Sequence, residues 1–163
     1  MIREVEVVSF TLLVLRLVFF HILRCTCLIS CHFTRSPFQC VLTYIGADVL
    51  DGVQSCVDAG AKVISMSLGC ANCYLAVEDE FYNDVYDQNV LVIAAAGNSG
   101  SVIDHFPSGY PAVMSVASLD SDGTLSSFST RNDQTEIAGP GRLVKSTIPD
   151  DTYASYSGTS MAS

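Results

Sequence analysis

Positive charge is scarce in this chain. Eight lysines and arginines stand against 17 aspartates and glutamates over 163 residues, for a formal net charge of −9. The scarcity is uneven: Arg3, Arg16, Arg24 and Arg35 fall in the first 45 residues beside Glu4 and Glu6, and the remainder carries four basic residues against fifteen acidic ones. So acidic a body argues against nucleic acids and anionic membranes as partners, because both are polyanions and would be repelled. Peptides and small molecules stay open. A repeated cysteine spacing is also lacking, since Cys25, Cys27, Cys31, Cys40, Cys56, Cys70 and Cys73 are odd in number and make no disulfide framework. Cys25, Cys27, Cys31 and His32 depart from the paired C-x2-C knuckles of zinc sites, and no metal site is assigned. Cys70 and Cys73 form a C-x-x-C that follows a strand and a glycine instead of opening a helix. A small loop disulfide or two plain thiols is expected there rather than a redox centre, and Cys56, on an apolar helix face, reads as core.

A clean membrane span is missing too. Residues 5–29 are apolar over enough length, but Arg16 stands near the middle, where it would cost about 2.5 to 3.5 kcal/mol. A secretory signal is a second reading, with Arg3 before the apolar run, although Glu4 and Glu6 crowd the leading segment and no Ala-x-Ala cleavage site follows. Residues 1–45 show no strand or helix period leading into what comes next, so a third reading makes them foreign to the fold. The length suits one domain with a real core.

From residue 48 a regular α/β pattern takes over. Val49, Leu50, Val53 and Val57 at helical spacing, closed by Ala59-Gly60, predict a helix over 48–59. KVISMSL predicts a strand over 62–68, and Val77, Phe81 and Val85 predict a second helix over 76–88. The apolar run at 90–95 reads as a strand covered on both faces, and further strands are expected at 113–118, 135–138 and 144–148. Helices alternating with strands across short links imply a parallel sheet whose ligands bind at the carboxyl ends of its strands.

Three segments at that edge carry chemistry. In Ala95-Ala96-Gly97-Asn98, Gly97 permits a tight exit from the strand and Asn98 offers a neutral amide donor; an ordinary Asn-Gly turn is the plain alternative. Gly158-Thr159-Ser160-Met161-Ala162 sets a serine where a helix would start, and Ser160 or Thr159 could equally be a simple cap. Ser67-Leu68-Gly69 ends a strand with backbone groups free to pair with an extended peptide, or is merely a buried strand and its turn.

In this order and at these gaps, VISMSLG, VLVIAAAGNSG, YPAVMSVAS, SSFST, EIAGPG and YSGTSMAS closely resemble the catalytic domain of the subtilisin-like serine proteases, over roughly residues 46–163. The resemblance implies a three-layer α/β fold with a mostly parallel, doubly wound sheet, and a secreted endopeptidase acting on peptides or proteins. By position, Ser160 matches the nucleophile that forms an acyl-enzyme. Asn98 matches the side-chain donor of the oxyanion hole, and the Ser160 backbone N–H the second donor. Ser67, Leu68 and Gly69 match the strand that pairs with substrate. Ala95, Ala96 and Gly97 match one wall of the specificity pocket, which in this family usually accepts large hydrophobic side chains, and Gly139-Pro140-Gly141 matches a structural turn. No cofactor is implied beyond the structural calcium common in the family; Asp120 and Asp122 lie in a turn, and no calcium site is assigned.

The family order is Asp, His, Ser. Upstream of residue 48 there is no aspartate, and His21 and His32 stand outside any His-Gly-Thr-His setting. His105, in Asp-His-Phe-Pro, follows Asn98 and is expected to be a surface loop residue. A serine without a base is a poor nucleophile. In subtilisin, the family's own type case, loss of the triad lowers turnover ~10⁶-fold and leaves ~10³–10⁴ over water. The expectation is therefore the later part of a catalytic domain, cut at both ends, with an incomplete sheet whose bare edge favours aggregation. Two rivals remain: a non-cleaving pseudo-protease that at most binds peptide, and a piece anchored to membranes through residues 5–29.

Overall fold

The computed structural model describes residues 26–32, 37–43, 46–148 and 152–163. His21, Cys25 and the apolar run as far as residue 25, with its anchor and signal readings, lie outside them. Strands β1 (Thr26–His32) and β2 (Pro37–Thr43) pair antiparallel. Helix α1 (Gly46–Asp58) follows, then β3 (Val63–Met66), the two-residue β4 (Cys70–Ala71), helix α2 (Ala76–Asp87), β5 (Leu91–Ala95) and the two-residue β6 (His105–Phe106). The chain continues through β7 (Val113–Leu119), β8 (Thr135–Pro140), β9 (Val144–Ile148) and β10 (Thr152–Tyr156) to a 3-10 turn, Thr159–Met161.

Six strands form one sheet in the order β2-β1-β3-β5-β7-β8. The pairs β3/β5, β5/β7 and β7/β8 are parallel, so the fold is the expected α/β type with a mostly parallel sheet. The outer edge of β3 departs from expectation. It is paired antiparallel by β1, with Ile29 opposite Met66 and His32 opposite Val63, so β3 does not present a bare edge. Strand pairing uses backbone groups that every non-proline residue carries, which is why a segment without a clear side-chain period can still add to a sheet.

In α1 the recurrence at i, i+4 and i+7 buries Val49, Val53 and Cys56, and Leu50 and Val57 pack beside them. The helix ends where Gly60 takes φ +87°, a left-handed cap open to solvent, while the Gly60 and Ala61 N–H groups donate back to Val57 and Cys56. In α2 the buried face is turned from the expected one: Val77 is 65% exposed, whereas Tyr82 and Val85 are buried. The aromatic ring decides this, because Tyr82 packs 5.4 Å from buried Tyr110 and brings more apolar area to the core than a first-turn valine would. The two helices touch each other and the sheet, forming a layer over Ile64, Met66, Val92 and Val113. Each such side chain, fully buried, contributes about 1.5 to 3 kcal/mol before the entropy of ordering it is subtracted.

Candidate active site

Strand register sets the site's layout. Met66 of β3 lies opposite Ala94 of β5, and Ala94 opposite Ser115 of β7. Adjacent parallel strands thus release Ser67-Leu68-Gly69 and Ala96-Gly97-Asn98 side by side at the carboxyl edge. The two segments differ in exposure. Leu68, Ala95, Ala96 and Gly97 are buried, Ser67 is half-buried, and Gly69 and Asn98 are exposed.

The C-terminal turn is drawn onto the same edge by Thr159, a residue that the sequence offered only as a candidate cap. Its side chain is fully buried. Its Oγ accepts the Gly97 N–H at 3.1 Å and donates to Asn98 Oδ1 at 3.1 Å, and its own N–H donates to the same Oδ1 at 2.8 Å. Both bonds take the carbonyl end of the Asn98 amide, so Nδ2 is left as the donor at an exposed position. Ser67 Oγ donates to the carbonyl of Ser160 at 3.1 Å and lies 3.4 Å from Ser163 Oγ. Ser67, Gly97, Asn98 and Ser160 are therefore brought into one polar network. The signal for Thr159 was present in Gly-Thr-Ser, but a hydroxyl beside a candidate nucleophile reads first as a cap.

Glycines allow this close approach. A Cβ on Gly139 would stand 2.8 Å from the Ala162 carbonyl, and one on Gly141 would strike Ser118 Oγ and the Gly158 carbonyl. Gly141 also donates to Leu119 O at 3.0 Å and accepts from the Gly158 N–H at 2.8 Å. The Gly139-Pro140-Gly141 segment is thus the seat on which the turn rests. At Ser160 the structure has a 3-10 turn, Thr159–Met161, in which the Met161 and Ala162 N–H groups bond back to Gly158 and Thr159.

His105 is not the surface loop residue expected from sequence. It lies in β6 opposite Ala71 of β4, half-buried, with Nδ1 buried and unpartnered. Its ring packs on Gly69 and Gly97, two positions without a Cβ to exclude it. Loss of water holds its pKa below the ordinary histidine value. Among the described residues no hydrogen bond joins Ser160 Oγ to an imidazole or a carboxylate.

Cys70 and Cys73 are joined in a disulfide beside this edge, the small-loop alternative of the two expected. Cys56 is buried in the core, as its helix face implied.

Parallel strands that present a serine-bearing turn and an oriented amide at their carboxyl edge define an α/β protein of the ligand-at-the-strand-ends type. The particular family follows from comparison: the chain belongs to the subtilase family, whose model matches residues 44–163. It is 41% identical over 114 residues to thermitase of Thermoactinomyces vulgaris, covering 70% of this chain and 40% of thermitase. To the halolysin-like extracellular serine protease Nep of Natrialba magadii it is 43% identical over 117 residues, covering 72% of this chain and 21% of that protein. The chain thus spans two fifths or less of the length of these curated relatives. Among solved structures, a psychrophilic subtilisin-like protease from Pseudoalteromonas sp. AS-11 matches with TM-score 0.59 and 41% identity, over 61% of this chain and 23% of that one. The self-cleaved protease domain of PatA matches with TM-score 0.67 and 30% identity, over 71% and 46%. Among the described residues no helix is long and apolar enough to cross a membrane.

Proposed function

We propose that these residues supply the nucleophile and oxyanion hole of a secreted serine endopeptidase. Ser160 Oγ attacks the scissile carbonyl, its proton passing to a base that the described residues do not include and from there to the amine, which leaves as the C–N bond breaks and the acyl-enzyme forms. Asn98 Nδ2 and the Ser160 backbone N–H donate to the oxyanion as it forms. The backbone of Ser67, Leu68 and Gly69 pairs with the extended substrate, and Ala95, Ala96 and Gly97 wall the side chain next to the cleaved bond. The observation that carries this reading is the pair of hydrogen bonds that Thr159 donates, from its N–H and its Oγ, to Asn98 Oδ1, which fixes the amide with its donor end outward and ties it to the residue before Ser160. A preorganised donor of this kind costs no reorganisation at the moment of reaction.

The absence of an imidazole or carboxylate bonded to Ser160 Oγ among the described residues favours a second reading, a chain that binds extended peptide without cutting it. A fluorophosphonate probe separates the two. Labelling at Ser160, lost in Ser160→Ala, is the expected result. An unlabelled Ser160 in folded protein contradicts the peptidase reading and leaves peptide binding.

A further inference from the structure

His105 is the titratable side chain that, among the described residues, keeps a buried polar atom without a partner, and the peptidase chemistry has no use for it. Its location is specific. A Cβ on Gly69 would lie 2.7 Å from Nδ1 and 2.9 Å from Cε1, and one on Gly97 would lie 2.7 Å from Cδ2 and 2.8 Å from Cγ. The imidazole is therefore sandwiched between the two glycines, filling the gap between the segment that ends at Gly69 and the segment Ala95, Ala96 and Gly97.

The backbone that carries the ring is also held there. Residue 105 pairs with Ala71 across β4 and β6, Ser108 Oγ donates to its carbonyl at 2.8 Å, and neighbouring Phe106 packs 4.7 Å from Tyr110 and 5.5 Å from Tyr74. These contacts fix where the His105 backbone stands, and the ring on it lies against Gly69 and Gly97. Burial also disfavours its charged form, so at neutral pH the group in the gap is an uncharged plug. A peptide laid along Ser67, Leu68 and Gly69, with one side chain directed at the wall of Ala95, Ala96 and Gly97, meets this ring in the gap between the two segments.

We propose that His105 is a specificity-determining residue, its ring occupying the gap between Gly69 and Gly97 so that only a small peptide side chain is accepted there. The proposal rests on the reading of residues 67–69 as the peptide-pairing strand.

The test is a titration, followed by NMR, of the full chain with two acetylated tetrapeptide amides that differ only in the last residue, alanine or phenylalanine. Wild type is expected to bind the alanine peptide at least about tenfold more tightly, the scale on which hydrophobic pockets discriminate by size. This comparison needs no variant. In His105→Gly the phenylalanine peptide should gain at least about tenfold with the alanine peptide little changed. His105→Ala, which keeps a Cβ in β6, should shift affinity the same way by less. Equal affinity of wild type for both peptides, or no gain for phenylalanine in either folded variant, overturns the plug while leaving the peptide-binding strand intact. Failure of both peptides to bind wild type and both folded variants overturns the strand reading itself, and the plug with it.

Discussion

Thr159 shows how one hydroxyl can hold a site together. Oγ both accepts from Gly97 N–H and donates to Asn98 Oδ1 while fully buried, so Thr159→Val, nearly the same shape, leaves a buried N–H without its acceptor. Such an orphaned group costs about 1 to 3 kcal/mol, and urea unfolding should show that loss, with Thr159→Ser recovering part of it. A valine variant as stable as wild type would mean that the clamp is incidental. Asp120 is a second residue whose role can be read out. Its carboxylate accepts from Ser126 Oγ and pairs with Arg142 at 2.6 Å, and these bonds, Ser126 first, hold its pKa below the ordinary aspartate value. The unfolded chain then takes up a proton at higher pH than the folded one, so this stabilisation is present above about pH 4 and is lost as pH falls through the depressed folded value. The stability gap between wild type and Asp120→Asn, measured by denaturation along a pH series, should therefore close on acidification. A gap independent of pH would exclude the carboxylate as its source.

At the level of elements, what could be read from sequence was whatever side-chain period dictates. Helix α1 and its glycine stop, and strands β3, β5 and β7, follow from apolar spacing alone to within a residue or two. What escaped depends on partners distant in sequence. The face of α2 is set by Tyr82 meeting Tyr110, 28 residues on, and β1 joins the sheet through the backbone edge of β3. Two-residue strands such as β4 and β6 are too short to carry a pattern, which is why His105 reads as loop until its partner Ala71 is known. At the candidate site the motifs marked Ser160, Asn98 and Gly97, and offered Thr159 as a cap but not as the residue that joins them. The seat under the C-terminal turn gives the test at this scale. Gly141→Ala forces a methyl into Ser118 Oγ and the Gly158 carbonyl, and overpacking of that kind costs about 1 to 3 kcal/mol. Thermal unfolding should register the loss, whereas Gly123→Ala, where the added methyl meets nothing within 4 Å but φ is +81°, reports the effect of backbone conformation alone. If Gly141→Ala melts with wild type, the turn is not seated as described.

For the molecule as a whole, subtilase membership and the geometry at the carboxyl edge point the same way, and the net charge of −9 adds a bias on partners. A peptide with basic flanks should associate faster than its neutral analogue at low ionic strength, and the advantage should vanish as salt rises from about 0.01 to 1 M, over which the screening length falls from about 30 to about 3 Å. Equal on-rates across that range by stopped flow would remove charge from the account. On the proposed reading, Ser160 and the amide of Asn98, oriented by Thr159, together form a site for a tetrahedral anion. A peptide boronic acid with an alanine-like side chain tests it most directly, because boron bonded to a serine oxygen becomes tetrahedral and anionic and ¹¹B NMR reports its geometry. Wild type should give the tetrahedral signal and Ser160→Ala should not. Asn98→Ala should bind roughly 10²-fold or more weakly, the scale on which loss of the oxyanion asparagine lowers turnover in subtilisin itself. Trigonal boron throughout, or an Asn98→Ala variant that binds as tightly as wild type, would contradict it.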